Sequence, residues 1–234
     1  MLAWHVPFLG WQRLPADLSE FEIAHFFTLK PADIRAVRSR YKKNLRLGAA
    51  LQLGFLAMCG RPLSALQRAP VDLLQHLGKQ LAIRAPDIAT LRAIYCRRRL
   101  TLFEHQAWAM SHLGMRRLEE GDSATLMGPL TDVVRAGIFG DHLLSATRRI
   151  LSEQRIVIPG HRRLGDPARD AMAVVERNAM AIIEHEIPAS KRAHWAEALG
   201  EPWRVLGGDA YGYAGRGKPG REQARYLSGG GSAR

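Results

Sequence analysis

The sequence holds only two cysteines among its 234 residues, Cys59 and Cys96, both in apolar or basic helical context. That excludes a disulfide framework and a metal knuckle, and a reducing cytoplasm is the compartment expected. No run of about eighteen apolar residues occurs, so no membrane span is expected. The opening MLAWHVPFLGWQRLP has too little charge ahead of its apolar part for a secretory signal. Acidic residues are scarce as well: 22 Asp and Glu stand against 34 Lys and Arg, a formal net charge of +12. A surplus of that size makes polyanions the first partner class, because phosphate binding releases condensed counterions. It carries no sequence specificity by itself. β-like sequence is almost lacking, since Arg155-Ile156-Val157-Ile158-Pro159-Gly160 is the one short run, and it closes in a Pro-Gly turn rather than a hairpin. No repeat of solenoid period appears.

Enzyme motifs are absent on inspection. His185-Glu186 resembles the start of a zinc-protease helix, but Pro188 falls inside the span and Ala189 stands where a second His is needed. Gly212 and Gly217 with Lys218 open a phosphate-loop pattern, yet Pro219 replaces the magnesium-holding Ser or Thr. His105 and His112 can share a helix face, but two residues make no site. No catalytic residue, metal site or cofactor is therefore expected.

What is present is helical periodicity, with 47% hydrophobic residues to supply a core. The chain is organised around residues 33–60. Ile34, Val37, Tyr41 and Leu45 recur at helical spacing, and Arg35, Arg38, Lys42 and Arg46 follow a neighbouring line. From Gly48 to Met58 only Gln52 is clearly polar, which suits a helix buried on most sides. Between Asp33 and Asp72 there is no acidic residue, while Arg35, Arg38, Arg40, Lys42, Lys43, Arg46, Arg61 and Arg68 are all basic.

Around this centre the punctuation predicts a succession of helices. Ser19-Glu20-Phe21-Glu22 reads as a capping box, and Pro31 sits in a first turn. Lys43-Asn44 is expected to bend the basic helix into the buried one, which Gly60-Arg61-Pro62 ends. Pro70 opens a helix through Leu81, and Pro86-Asp87 opens another carrying Ile88, Leu91, Ile94 and Tyr95. Thr101-Leu102-Phe103-Glu104 reads as a second capping box ahead of a helix with Leu102, Phe103, Trp108, Ala109 and Leu113. Asp122 is expected to cap a helix to about Phe139, with Gly128-Pro129 interrupting its first turns, and Asp141 to cap the next. Asp166-Pro167 starts a long helix, and Pro188-Ala189-Ser190 leads into a last one ending at Gly200. The expected fold is all-α, a bundle-like set of helices on short loops. Its expected divisions are 1–117, 118–204 and a disordered Gly-rich tail over 205–234, with the first boundary near residues 116–122.

Asn44-Leu45-Arg46-Leu47-Gly48 with Ala50, Gln52 and Leu53, then Pro70, Leu73, Leu74, Leu77 and Leu81, form an ordered series. It continues through Tyr95, Arg97-Arg98-Arg99-Leu100-Thr101, Glu104-His105, Leu113-Gly114, residues 155–160, and Ile187-Pro188 before the helix of Lys191 to Leu199. Over roughly residues 15–201 the chain resembles the N-terminal region of the Tn-three family of replicative transposases. The resemblance implies a helical region that grips the terminal inverted repeats of double-stranded DNA in the bacterial cytoplasm, at the nucleoid. It also implies that the Asp-Asp-Glu RNase H-like catalytic domain lies beyond this segment, and that self-association belongs to the full-length transposase. The Gly-rich end departs from the family, so a truncated or frameshifted product is expected.

Three basic groups are candidates for DNA contact. In the first, Arg35, Arg38, Arg40, Lys42, Lys43 and Arg46 lack the neighbouring acids of an ordinary salt-bridged face. The second, Arg97, Arg98 and Arg99, cannot share one helix face, but at a loop they can converge on a phosphate track or stay solvated. The third comprises Arg148, Arg149, Arg155, His161, Arg162 and Arg163 around the Pro-Gly turn, of which Arg155, Arg162 and Arg163 are carried forward. Phosphate contacts position a protein, while base edges specify, and spacing alone does not identify the base-reading residue. Trp4, Trp11, Phe21, Phe26 and Phe27 can stack on bases, although core packing is expected, above all for the three phenylalanines. A helical module whose basic surface meets acidic proteins is the alternative.

Overall fold

The structure is a computed structural model and describes residues 3–198. The tail expected over 205–234 lies outside the described residues. Those described are all-helical, as expected: a 3-10 turn (Ala3–Phe8) precedes α1 (Glu20–Phe27), α2 (Pro31–Arg40), α3 (Arg46–Cys59), α4 (Val71–Leu81), α5 (Ile88–Arg97), α6 (Arg99–His112), α7 (Asp122–Arg135), α8 (Gly140–Glu153), α9 (His161–Glu186) and α10 (Ala189–Ala198). No described helix is long and apolar enough to cross a membrane. The chain divides into two compact units, Met1–Arg177 and Asn178–Arg234.

In the first unit α3 is the central post, packed against α1, α2, α4 and α6. Its backbone is nearly all side-chain covered because Gly and Ala alternate with Leu, Phe and Met, so neighbours approach from every side. A methyl group at Gly54 would overlap the Phe27 ring of α1. Gln52, the polar exception, is buried and fully used: its Nε2 donates to the Leu63 carbonyl (2.9 Å) and its Oε1 accepts from the Leu63 N–H (3.1 Å). Gln106 of α6 donates to that same carbonyl at 2.8 Å. Two buried amides thus pin the loop that follows α3, where an unpaired group would be costly.

A second apolar cluster gathers Leu126, Leu130 and Val134 of α7, Leu143, Leu144, Ile150 and Leu151 of α8, Ile156, Ile158, and Leu164, Ala168 and Ala171 of α9. The β-like run joins the two clusters as a strap. Arg116 donates its N–H to the Arg155 carbonyl and accepts from Val157, and Ile158 donates to the Gly60 carbonyl at 2.8 Å. In the second unit, the last turns of α9 and α10 meet at Pro188, whose carbonyl accepts from the Lys191 and Arg192 N–H groups.

The capping box at Ser19 and Glu22, Lys30-Pro31 and the Asp87 cap form as expected. Four expectations are corrected. Thr101 does not cap α6; the helix begins at Arg99, Thr101 is buried within it, and Glu104 pairs with Arg98 instead. Asp122 is the first residue of α7 rather than its cap, and the helix passes through exposed Pro129 and stops at Arg135. Gly137, at φ 80°, then turns the chain away. Asp141 likewise lies inside the first turn of α8, behind Phe139 at the cap position. Finally, α9 starts at His161, ahead of Asp166-Pro167, and buries the Pro167 ring.

Candidate nucleic-acid interface

The basic line read along residues 35–46 is not one helix. α2 ends at Arg40, Tyr41 turns inward, and α3 starts at Arg46. Arg46 explains the break: its Nε donates to the Tyr41 carbonyl (3.0 Å) and its Nη2 to the Arg38 carbonyl (3.1 Å). A cation therefore closes the carbonyl end of α2, where positive charge is favoured. Arg35, Arg38, Arg40, Lys42 and Lys43 remain exposed, and Arg38 also reaches the Gln80 carbonyl at 3.4 Å.

Tyr41 is the bearing on which this segment sits. Its ring meets His105 and Trp108 of α6 edge-on, with centroids 4.7 and 5.4 Å away. The Tyr95 hydroxyl of α5 lies 3.0 Å from His105 Nδ1. Gly48 of α3 allows that contact, because a Cβ there would stand 2.5 Å from the Tyr95 oxygen. Burial raises the Tyr41 and Tyr95 phenol pKa values and holds His105 down at about 4, so all three are neutral at pH 7. His105 is 1% exposed, and its Nε2 has no partner among the described residues.

The packing brings two of the three basic groups onto α6, one at its start and one, through Tyr41, on the turns that follow. Arg97 ends α5, Arg98 is the whole connection, and Arg99 begins α6, so the triplet occupies a tight corner with all three side chains exposed. Tyr41, which Arg40, Lys42 and Lys43 flank, packs on the next turns of α6 through Glu104, His105 and Trp108. The stretches that build this end, 34–71 and 88–103, contain no acid. The nearest carboxylate along α6, Glu104, is held by Arg98 at 2.9 Å. Among the described residues, no carboxylate pairs with Arg35, Arg40, Lys42, Lys43, Arg97 or Arg99.

The third group lies at the other end of α6. Arg155, at φ 56°, donates to the Leu113 carbonyl just past that helix (2.9 Å), and Arg163 donates to the Leu118 carbonyl at 3.3 Å. Arg162 is exposed on the first turn of α9. A 14-residue helix spans about 21 Å, which sets the separation of the two basic ends. At its last residue α6 is clamped to α2 by His112 Nε2 and Asp33 Oδ1 at 2.7 Å. Below, the Arg116 guanidinium grips Asp122 through two hydrogen bonds of 2.6 and 2.5 Å and holds its carboxyl pKa at about 2.

Two residues here escaped the sequence reading. Leu100 and Phe103 are exposed on the outer face of α6, whereas Phe103 was expected in its packing face. The phenylalanines of α1 also part ways: Phe26 and Phe27 are core, but Phe21 is exposed and stacked on His25. Trp11 is partly exposed against Phe8. The Trp4 side chain lies outside the described residues.

The chain is similar to two transposases. It is 38% identical over 201 residues to the transposase for insertion sequence element IS1071 in transposon Tn5271 of Comamonas testosteroni, covering 86% of this chain and 20% of that protein. It is 23% identical over 178 residues to the transposase for transposon Tn1546 of Enterococcus faecium, covering 76% of this chain and 17% of that protein. The chain thus spans about a fifth of the length of these relatives. A family model described as a domain of unknown function, DUF4158, matches residues 10–171, most of the chain and nearly all of its first unit, and the protein belongs to that family.

Proposed function

We propose that this chain is the DNA-binding, non-catalytic N-terminal segment of a Tn-three-type transposase, gripping the terminal inverted repeats of its element. The observation that carries the reading is the acid-free corner where α2, α3, α5 and α6 meet. On this reading Arg40, Lys42 and Lys43, which flank buried Tyr41, act together with Arg97, Arg98 and Arg99 at the start of the helix on which Tyr41 packs. Arg35 and Arg38 extend the track along α2, and Arg155, Arg162 and Arg163 offer a second foothold at the far end of α6. The two footholds, about 21 Å apart, correspond to about six base pairs of duplex. Arg46 serves by fixing the bend that presents Lys42 and Lys43. The similarity to transposases agrees in kind with a surface built for phosphates.

The test is equilibrium binding of labelled duplex carrying the terminal repeat of IS1071, against a scrambled duplex, over a salt series. Neutralising about six phosphates gives a log–log salt slope of about −5. Preference for the repeat together with that slope supports the proposal; no binding to either duplex at low salt rejects it and favours an acidic protein partner. Reversing charge at Arg40 and Lys42 should weaken both duplexes alike, and unchanged affinity removes those two from the interface.

A further inference from the structure

We infer that Leu100 and Phe103 form an apolar wedge that enters the base stack of bound duplex and bends it, an inference that rests on the DNA-binding reading above. The core side of α6 sets polar residues beside Leu102, Trp108 and Ala109, while its outer side carries large apolar ones. The helix buries Thr101, His105 and Gln106, and it leaves Leu100 and Phe103 60% and 55% exposed. The two are three residues apart, so they share one face and differ by about 4.5 Å along the axis, close to the 3.4 Å rise of one base step. The same face continues through exposed Ala107 and Ser111, and the carboxylate it carries, Glu104, is paired with Arg98.

Charge selects the occupant. A duplex presents apolar base stacks flanked by phosphates, and here an apolar pair is flanked by cations. Arg97, Arg98 and Arg99 stand immediately before it, Lys42 and Lys43 follow Tyr41, whose side chain packs on the next turns of the same helix, and Arg98 neutralises Glu104. An apolar protein partner would have to desolvate those arginines, whereas phosphates pair with them. The wedge is also stiffly mounted, as an unstacking side chain must be. Gln106 is bonded to Leu63, His105 to Tyr95, and a single residue separates α5 from α6. Proteins that insert Leu or Phe between base steps kink duplexes by roughly 20–90°.

The test uses the full chain and an A·T-rich duplex of about 30 base pairs with donor and acceptor dyes at its ends. Saturating wild-type protein should shorten the end-to-end distance. The doubly substituted L100A/F103A chain should bind within about tenfold of wild type and leave the duplex straight, with an unchanged melting curve for the protein. Phe103→Leu, which keeps an apolar side chain, should retain the bend. Binding by the wild type without bending overturns the inference and leaves the DNA-binding reading intact, as does equal bending by the double variant. If the two proteins bend alike but differ in sedimentation, the pair serves a protein contact and the wedge is refuted. If the double variant does not bind, Phe103→Leu must bind and bend, or the inference fails. No binding by the wild type sinks this inference and the parent reading together.

Discussion

Acidifying the protein from about pH 7.5 to about pH 5 should expose the cost of its neutral, buried His105. Burial holds this imidazole at about 4, against an ordinary value of 6.5. Its surroundings offer an added charge no anionic partner: the neutral Tyr95 hydroxyl on Nδ1, the Tyr41 ring edge-on, the Gly48 backbone, and no partner on Nε2 among the described residues. The sign follows from the depressed value. At pH 5 the unfolded chain takes up the proton and the folded one does not, so stability falls as pH drops through the window from 6.5 to about 4. Linkage between those two values gives a loss of about 2 kcal/mol at pH 5 and almost none at pH 7.5. The assay is urea unfolding at the two pH values, followed by tryptophan fluorescence, for the wild type and His105→Gln. The substituted chain starts from its own baseline, and the readout is the pH-dependent difference. His76, also held low by burial, titrates in both chains and cancels. Equal pH dependence in the two proteins would refute the reasoning.

Three further outcomes follow from packing and charge. Asp122, held at about 2 by Arg116 against an ordinary 3.8, contributes stability that is complete above about pH 4 and disappears as pH falls toward 2; Asp122→Asn should lose the matching part of the acid-unfolding limb. Gly54→Ala drives a methyl group into Phe27 and should destabilise the protein by about 1–3 kcal/mol, read as a lowered melting temperature. Ala82 ends α4 in a left-handed conformation at φ 53° and ψ 48°, so Ala82→Gly should raise stability by up to about 1 kcal/mol; a lower urea midpoint would contradict that account.

Much of the fold is legible because local signals and packing agree. Ser19 and Glu22, Pro31, Pro70 and Asp87 mark starts that the structure uses, and the apolar density from Gly48 to Met58 does become the central post. Where signals fail, tertiary packing outbids a short motif. Thr101 and Glu104 have the spacing of a capping box, but Thr101 is worth more as a small side chain in the core, and Glu104 is drawn to Arg98. That misplacement of the helix start hides the exposure of Phe103. The buried side of α6 mixes polar residues with Leu102, Trp108 and Ala109, and Gln52, His105 and Gln106 become core residues only through partners 10 to 43 positions away on other elements, which no helical pattern displays. Arg46 is similar: its charge reads as surface, yet its hydrogen bonds close α2. The placement of the 40–43 cations on the helix that Arg99 opens depends on Tyr41 meeting His105 across 64 positions of sequence, a relation visible only in three dimensions.

The strap at residues 155–158 sets a timetable for synthesis. Gly60 leaves the ribosome about a hundred residues before Ile158, whose N–H its carbonyl accepts. At a usual elongation speed that carbonyl, together with the lower end of α3, waits on the order of 5–20 s for its partner. Once α6 has also emerged, the nascent chain holds the helices of the first cluster with one open seam, which makes the arrival of a four-residue segment the event that ties the first apolar cluster to the second.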